Sequence, residues 1–238
     1  MLFRSKQLTT EDIKHEFMRK YANNEFRTNK NISQQSQTIE IQNAHFIVDK
    51  PWIVREPNYD YAARELEWYD SQSLNVNDIP DGAPKQWQMC ATPTGEINSN
   101  YGWCIFSEDN HLQFESCVEH LLKDPYTREA CMIYTRPSIQ QEYCRDGMHD
   151  FICTYAVQCF LNDTDDGYSL DYIVYMRSND AVFGFNNDAL WHTHVHHLLQ
   201  EELERRLNKP VTIGTMYWNA ASLHIYERHF KYLENKTT

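Results

Sequence analysis

The sequence predicts an α+β domain in which a mixed β-sheet is flanked by helices. Three observations lead to this prediction. Apolar residues recur at helical spacing in some segments, whereas in others they alternate or form the short runs that are typical of strands. The order in which these segments follow one another suits an α+β fold. The 238 residues are enough for a sizeable core, and no repeat or linker divides them. We therefore expect residues 1–238 to form one domain.

Helical spacing predicts four helices. Thr9 or Thr10 can cap the first, which carries Ile13, Phe17 and Tyr21 at helical spacing. The third stops before a proline, which disfavours the helical conformation in the residue that precedes it. The fourth has a leucine-rich apolar stripe. The second, third and fourth helices are predicted at Tyr61–Trp68, Asn110–Leu122 and Ala189–Leu207.

Strands are predicted where apolar residues alternate or run together. In Phe151–Leu161 the alternation is regular, so its odd-numbered residues, Cys153 among them, should share one face. The polar stretch Asn23–Gln37 reads as a mobile loop. The long loop-rich stretch Ser71–Tyr101 is of the kind that is usually functional or disordered, and its aromatic residues argue against disorder. The remaining strands are predicted at Thr38–Ile41, His45–Val48, Cys131–Tyr134, Tyr172–Met176, Val211–Trp218 and Leu223–Tyr226.

Composition and charge exclude several classes of protein. The net charge of −12 argues against broad binding to nucleic acid, which requires a basic surface. The sequence shows neither a long apolar run nor a basic-then-apolar start, so we expect no membrane span and no signal peptide. The seven cysteines form no CxxC pair and their number is odd. This favours reduced thiols in a soluble cytoplasmic protein over a disulfide framework.

Four histidines on the fourth predicted helix invite a metal-binding interpretation. His192 and His196 lie at i,i+4 on one helix face, but the zinc-protease motif needs a glutamate where Thr193 stands. No further ligand stands out by spacing. We therefore predict that these histidines, with His194 and His197, lie at the surface or at an interface, and that there is no metal site.

The segment Tyr175–Asp188 contains groups that a bound anion needs. Arg177 supplies charge and paired donors, and Ser178 beside it supplies a hydroxyl, which together suit a phosphate. Asp180 and Asp188 follow, eight positions apart. From these residues alone, a solvated turn remains the ordinary alternative.

Cys153 is a candidate nucleophile by its position on the chain. A single cysteine on a strand is commonly an inert buried thiol. Here it follows the polar turn Asp146–Asp150, which would leave the end of the strand open to a cleft. Nearby arginines would favour the thiolate. The residue pattern leaves both interpretations open.

Six separated motifs between Thr38 and Phe230 carry a specific resemblance. They are Arg64–Trp68, Gly95–Gly102, Met132–Pro137, Cys153–Gln158, Arg177–Asp188 and Ser222–Tyr226. In this order they resemble the thymidylate synthase family, and more closely its deoxycytidylate hydroxymethylase branch, which is known from T4-like phages. The resemblance implies a thymidylate-synthase-like fold and a homodimer formed through the sheet.

The resemblance implies catalytic or folate-binding roles for five residues. Cys153 attacks C6 of a pyrimidine nucleotide, so that C5 becomes nucleophilic and takes a one-carbon unit from 5,10-methylenetetrahydrofolate. Glu65 organises water and proton transfers, and Tyr101 assists them. Asp180 contacts the folate side of the site, and Trp87 lines it.

The resemblance also implies which residues bind the nucleotide. Arg177 and Ser178 hold the 5′-phosphate, and an arginine pair from the partner subunit reaches the same phosphate. Arg128 matches the first arginine of that pair, but Glu129 stands where the second is expected, and Arg136 is a substitute for it. The set also includes Lys30 at the phosphate, Gln158, Asp180, and, at the deoxyribose 3′-hydroxyl, His224 and Tyr226.

The residue at position 188 indicates which base is bound. Thymidylate synthases carry an asparagine there, whose amide can donate to O4 and accept from N3–H of uracil. Cytosine presents the reverse pattern, which a carboxyl group can satisfy. Counting eight positions from Asp180, as the family spacing requires, selects Asp188 rather than Asn187.

The resemblance thus implies an enzyme that makes 5-hydroxymethyl-dCMP for a modified phage genome in the cytoplasm of an infected bacterium. Its substrates would be dCMP and the folate. A dCMP methyltransferase or a dUMP-acting synthase on the same scaffold stays open, because the side chains do not distinguish a methyl from a hydroxymethyl product. An inactive nucleotide-binding scaffold is the alternative from another class, and Cys153 together with Glu65 argues against it.

Overall fold

A computed structural model describes Gln7–Asn31 and Gln34–Glu234 and confirms the α+β class. Among these residues, no helix is both long and apolar enough to cross a membrane. The helices are α1 Thr10–Ala22, α2 Tyr59–Asp70, α3 Lys85–Cys90, α4 Tyr101–Phe106, α5 Gln113–Lys123, α6 Ile139–Glu142 and α7 Gly184–Leu207. The strands are β1 Arg27–Asn31, β2 Gln34–Ile47, β3 Cys131–Ile133, β4 Thr154–Asp163, β5 Tyr168–Met176, β6 Asn179–Asp180 and β7 Val211–Tyr226.

The strands form one mixed sheet, as predicted. Its order is β1-β2-β7-β5-β4-β3, and β6 pairs with β7 beside this path. The β6–β7 pair is parallel, whereas β1–β2, β2–β7 and β3–β4 are antiparallel. Short 3₁₀ turns lie at Val76–Asp78, Glu108–Asn110, Arg145–Gly147 and Glu227–Tyr232.

The chain divides into two compact units. The first comprises Met1–Pro57, Ile173–Thr193 and Thr215–Thr238, and the second comprises Asn58–Tyr172 and His194–Gly214. The single domain over residues 1–238 stays a prediction.

In the first unit, α1 packs on β2. A capping box fixes the start of α1: the Thr9 side chain accepts from the Asp12 N–H, and the Asp12 carboxylate accepts from the Thr9 N–H. Phe17 on α1 is fully buried. The β2–β7 register places Phe46 opposite Trp218, and both are buried. Aromatic side chains therefore make up much of the core of this unit.

In the second unit, α5 packs against α4 and β3. Its apolar face, formed by Cys117, Val118 and Leu121, is buried. The predicted strand Phe151–Leu161 begins three residues later than expected, as β4 at Thr154. The alternation holds only from Val157, with Val157, Cys159 and Leu161 buried; the prediction is wrong for Tyr155, which is 45% exposed, while its neighbour Thr154 is buried.

Other element bounds also differ from the sequence prediction. The stretch Asn23–Gln37, predicted as a mobile loop, contains β1 and the start of β2. These two strands pair with each other at the end of the sheet, so they form without the apolar alternation that a half-buried strand shows. The helix predicted from Ala189 begins at Gly184. The two strands predicted at the end of the chain are one strand, β7.

Gly95 shows how the predicted loop Ser71–Tyr101 is fixed. Its φ is +95°, and a Cβ there would lie 2.3 Å from Asn77 Nδ2 and 2.4 Å from Asn75 Oδ1. Both asparagines donate to the carbonyl of Thr94, at 3.1 and 3.2 Å. A side chain at position 95 would therefore push these donors away.

The prediction of surface or interface histidines is wrong for two of the four. His192 is fully buried and His196 is 2% exposed. A ring nitrogen of His196 lies 2.7 Å from the carbonyl oxygen of Leu170, and the ring stacks on Tyr172. His192 packs edge-to-face against Trp218 at 5.6 Å. Burial lowers the pKa of His192 to about 3 and also lowers the pKa of His196.

The buried imidazole of His192 should make stability fall with acid. An unfolded histidine titrates near 6.5, so below that pH the unfolded chain binds a proton that the folded chain does not. The free energy of unfolding should therefore drop by about 2 kcal/mol from this group between about pH 7 and about pH 5. Urea unfolding of wild type and His192→Leu at both values measures the difference, which should shrink in the variant. The exposed His197 offers the control: His197→Leu should keep the wild-type pH dependence. Equal pH dependence in all three proteins would contradict the assignment.

Candidate active site

Glu65 lies in a buried hydrogen-bonded cluster of the second unit. It belongs to α2, whose first turn is capped by the Asn58 side chain accepting from the Tyr61 N–H at 3.2 Å. The Tyr61 hydroxyl and the Trp87 indole N–H both donate to Glu65 Oε1, at 2.5 and 2.7 Å. Glu65 is 4% exposed. We call Tyr61, Glu65 and Trp87 the Glu65 cluster.

The Glu65 cluster has a defined direction of hydrogen bonding. Burial, and then the negative charge of Glu65, raise the pKa of the Tyr61 phenol. Tyr61 therefore stays protonated and donates, and the carboxylate accepts from two donors. The half-buried indole of Trp87 lies edge-to-face against Trp68 at 5.2 Å. The predicted proton-transfer residue and the predicted folate-lining residue are thus in direct contact.

Tyr101 is the first residue of α4 and is 4% exposed. Asn100 caps this helix by accepting from the Trp103 N–H at 2.8 Å. The Tyr101 ring stacks on that of Tyr69, with centroids 5.2 Å apart. A Cβ at Gly102 would lie 1.8 Å from the Tyr69 carbonyl oxygen, so α4 and α2 approach as closely as a glycine permits. The position of Tyr101 is therefore set by backbone packing.

Cys153 immediately precedes β4 and is half-buried. Its Sγ lies 3.8 Å from the carbonyl oxygen of Phe151. The preceding turn is tied down by Asp150, a buried carboxylate that accepts from the Asn98 N–H at 2.7 Å and the Ser99 N–H at 2.8 Å. The thiol is therefore at the end of a strand, beside a turn that hydrogen bonds hold in place, and the predicted opening to a cleft stays a prediction.

The remaining predicted residues of the second unit are less buried. Arg136 Nη2 lies 2.5 Å from Glu142 Oε2, so an internal carboxylate already balances this guanidinium. Arg128 and Glu129 are exposed. Gln158 donates from its side chain to the Arg128 carbonyl at 2.7 Å. Gln158 thus fixes the backbone at the predicted phosphate-binding arginine.

In the first unit, Arg177 and Ser178 occupy the bend between β5 and β6, and both are half-buried. The next strand, β6, places Asp180 opposite His224 on β7. The Ala181 N–H donates to the His224 carbonyl at 2.9 Å. The motif at Arg177 and the motif at His224, which are far apart in sequence, therefore lie side by side.

The pKa of His224 is set by its burial and by the charged side chains around it. Burial lowers its pKa, the negative charge of Asp180 opposes this, and the positive charges of Arg177 and Arg228 add to it. The Tyr226 ring lies edge-to-face against the imidazole at 4.8 Å. A neutral imidazole offers one donor and one acceptor, which suits a hydroxyl partner.

Asp188 lies in the second turn of α7 and is half-buried. Its Oδ2 accepts from the side-chain amide of Asn179 at 2.6 Å. Because α7 begins at Gly184 rather than at Ala189, Asp188 sits inside the helix, on a fixed backbone. The structure therefore pairs Asp188 with Asn179, a residue that the sequence analysis did not single out.

The prediction for Lys30 lies outside the described side chains. Its backbone belongs to β1 and pairs opposite Gln35 in β2. Lys30 remains an expectation from the sequence.

None of the seven cysteines, all of which lie in the described part of the chain, forms a disulfide. Within Gln7–Asn31 and Gln34–Glu234, no group of three or more His, Cys, Asp or Glu side chains could hold a metal ion.

The half-buried Trp87 indole is a planar apolar ring, which fits a planar ring system such as a pterin.

A family model named Thymidylate synthase matches residues 12–238. The chain belongs to the thymidylate synthase family. This confirms the resemblance drawn from the six motifs. Deoxycytidylate 5-hydroxymethyltransferase of Enterobacteria phage T4 is 48% identical over 195 residues, which cover 82% of this chain and 78% of that protein. The protein of the same name from Enterobacteria phage T2 matches to the same extent.

More distant members of the family also match this chain, one in sequence and one in structure. Thymidylate synthase of Francisella philomiragia is 24% identical over 177 residues, covering 70% of this chain and 61% of that protein. The structure of thermostable thymidylate synthase A from Bacillus subtilis superposes with a TM-score of 0.65. It is 18% identical and covers 94% of this chain and 82% of that one. The predicted thymidylate-synthase-like fold is confirmed.

Sequence reasoning missed two residues that contact predicted site residues. Tyr61 lies one helical turn before Glu65, and this i,i+4 spacing was visible in the sequence. Asn179 lies between two predicted site residues, Ser178 and Asp180, but nothing in the sequence pairs it with Asp188. That contact depends on where α7 begins.

Proposed function

We propose that this protein is a deoxycytidylate 5-hydroxymethyltransferase, which acts on dCMP and 5,10-methylenetetrahydrofolate. The observation that carries the proposal is the 48% identity over 195 residues to the phage proteins of that name. The product would enter a modified phage genome, made in the cytoplasm of the infected bacterium.

Cys153 supplies the nucleophile in this proposal. Its sulfur bonds to C6 of cytosine, and the electron pair of the C5–C6 bond makes C5 nucleophilic. The folate, when bound, would supply the one-carbon unit that C5 takes up. The C5 proton then passes to a base and the C–N bond to the folate breaks, so that tetrahydrofolate is the leaving group and C5 carries an exocyclic methylene. The sulfur leaves C6 once water has added to the new exocyclic carbon. The support is the half-buried thiol at the start of β4, beside a rigid turn.

Glu65 holds water and moves protons during these steps. Its carboxylate already accepts two hydrogen bonds on Oε1, so its orientation is fixed before substrate binds. Trp87 would present its indole face to the folate. Tyr101, fixed by its stack on Tyr69, assists the proton transfers.

The residues of the Arg177 and His224 motifs bind phosphate and sugar in this proposal. Arg177 and Ser178 supply a guanidinium and a hydroxyl to the 5′-phosphate. His224 and Tyr226 supply hydrogen bonds to the 3′-hydroxyl, and the lowered pKa of His224 keeps its ring neutral. Asp188 selects the base through its carboxylate. The remaining proposed substrate-binding residues are Lys30, Gln158 and Asp180.

We propose a homodimer in which arginines cross the interface. The outward face of β3 carries the exposed Cys131 and Ile133, and Ile133 is 53% exposed. An apolar strand face of this kind suits a second copy of the same chain. Arg128 lies just before β3 and is exposed, so it is placed to reach a neighbour. Arg136 is held by Glu142 and would have to exchange that partner for a phosphate.

The product mass tests the proposed function. Purified protein is incubated with dCMP and 5,10-methylenetetrahydrofolate, and the nucleotide is weighed by mass spectrometry. A gain of CH2O is expected. A gain of CH2 would instead show a dCMP methyltransferase. Turnover of dUMP but not of dCMP would show an enzyme of the same fold that acts on the uracil nucleotide. Binding of dCMP without any product would point to a nucleotide-binding scaffold.

Substituting Glu65 should slow catalysis without loosening substrate binding. In Glu65→Gln the side chain keeps its size but can no longer accept and release a proton, so kcat should fall about 10²- to 10⁴-fold. Steady-state kinetics with dCMP measures kcat and KM separately. The neighbouring Glu67→Gln is the control, since it makes the same change on the same helix, outside the Glu65 cluster, and should leave kcat near wild type. A wild-type kcat in Glu65→Gln would contradict the role.

A further inference from the structure

Asn179 is a buried amide that hydrogen-bonds the proposed base-selecting carboxylate. It is 2% exposed, and its Nδ2 lies 2.6 Å from Asp188 Oδ2. The orientation of the amide follows from this contact. Turned the other way, Asn179 would place its own oxygen against a carboxylate oxygen, and two acceptors would repel each other.

The other end of the same amide is unsatisfied by the protein. Asn179 Oδ1 is buried and has no hydrogen-bond partner within the part of the chain that the structure describes. A buried acceptor without a donor costs stability, so such atoms are rare unless a ligand or water completes them. Asn179 therefore holds Asp188 with one end and presents an acceptor with the other.

The backbone at Asn179 is fixed, so the amide cannot easily turn away. Asn179 belongs to β6 and pairs opposite Leu223 in β7. A Cβ added at Gly184 would lie 3.6 Å from Asn179 Nδ2 and 3.8 Å from Asp188 Oδ2. Gly184 therefore lies directly beside the pair, within van der Waals distance of both side chains.

We infer that Asn179 is a positioning and specificity-determining residue for an aminopyrimidine nucleotide. This inference rests on the proposed function, in which Asp188 selects the base. An acceptor at Asn179 Oδ1 beside the Asp188 carboxylate favours a ligand edge that brings N–H donors, as the 4-amino group of cytosine does. The 4-keto oxygen of uracil would meet acceptors instead and be rejected.

The test compares the ratio of kcat/KM for dCMP to kcat/KM for dUMP. Asn179→Leu keeps the shape of the side chain and removes both polar ends, and it should lower the ratio about 10- to 100-fold. Asn179→Ser keeps a hydroxyl donor, so its ratio should lie between those of Asn179→Leu and wild type. This variant also tests the inference if Asn179→Leu does not fold. An unchanged ratio in both folded variants would overturn the inference.

Asn186→Leu is the matched control. Asn186 is also 2% exposed, and its buried Oδ1 likewise has no hydrogen-bond partner among the described residues. Its Nδ2 donates to the Arg55 carbonyl rather than to Asp188, so the two residues differ in the contact under test. The ratio in Asn186→Leu should stay within about threefold of wild type, although thermal stability falls. A ratio that falls equally in both variants would mean that Asn179 acts only through general packing.

A double-mutant cycle separates positioning from structure. In an Asp188→Asn background, Asn179→Leu should no longer change the ratio in the way it does in wild type, because the carboxylate that it holds is gone. Fully additive effects would overturn the positioning role.

If wild type makes no hydroxymethylated product, the proposed function fails separately from the inference on Asn179. The dissociation constants of dCMP and dUMP in the same variants then decide on Asn179, and equal preference in wild type and Asn179→Leu overturns the inference.

Discussion

Cys153→Ser is expected to abolish the release of tritium from C5 of dCMP, with a fall of at least about 10⁴-fold. Serine keeps nearly the same shape, but its hydroxyl is a far weaker nucleophile than a thiolate. Without the bond from sulfur to C6, C5 does not become nucleophilic and its hydrogen is not exchanged. The measurement is tritium released to water from C5-labelled dCMP in the presence of the folate. Binding of dCMP, followed by calorimetry, should change little.

Cys144→Ser is the control for this prediction. Cys144 is an exposed free thiol in the same unit, and its substitution should leave tritium release at the wild-type rate. Wild-type release by Cys153→Ser would mean that the covalent mechanism is wrong. Loss of dCMP binding in that variant would instead point to a structural role for the thiol.

Much of the fold could be predicted because it depends on strong local patterns. The apolar stripe of α7 at Val195, Leu199 and Leu203 is buried as expected. The alternation along β4 also holds from Val157 to Leu161. The β1–β2 pair was missed because its residues are polar, and pairing at the end of the sheet leaves no apolar signal. The burial of His192 was missed because helical spacing alone does not distinguish a core histidine from an exposed one.

The candidate site was predicted through motifs, and its contacts came from the structure. The motifs at Arg177 and His224 could be named in the sequence, but the β6–β7 pairing that joins them is a long-range contact. The Glu65 cluster needed the position of α3 to bring Trp87 to the carboxylate. Asn179 has no signature of its own. The role proposed for it rests on its hydrogen bond of 2.6 Å to Asp188, a residue that lies on α7 because this helix begins at Gly184.

Asp188→Asn is expected to reverse the preference between the two pyrimidine nucleotides. The carboxylate can accept from the 4-amino group of cytosine, whereas an asparagine amide can donate to O4 and accept from N3–H of uracil. Loss of a hydrogen bond to a charged group is worth up to about 3 kcal/mol, so kcat/KM for dCMP should fall about 100-fold. Turnover of dUMP should rise at the same time. The measurement is kcat/KM for both nucleotides, with tritium release from C5 as the common assay.

Asn187→Ala tests whether position 187 or position 188 selects the base. If the family spacing selects position 188, removing the neighbouring amide should leave the preference for dCMP intact. The contact between Asn179 and Asp188 supports this choice, because it fixes the side chain at 188 on one side of α7. Successive residues on a helix point about 100° apart, so Asn187 and Asp188 cannot serve the same base edge. A change of preference in Asn187→Ala, with none in Asp188→Asn, would therefore move base selection to Asn187 and remove the reason for placing Asn179 in the site.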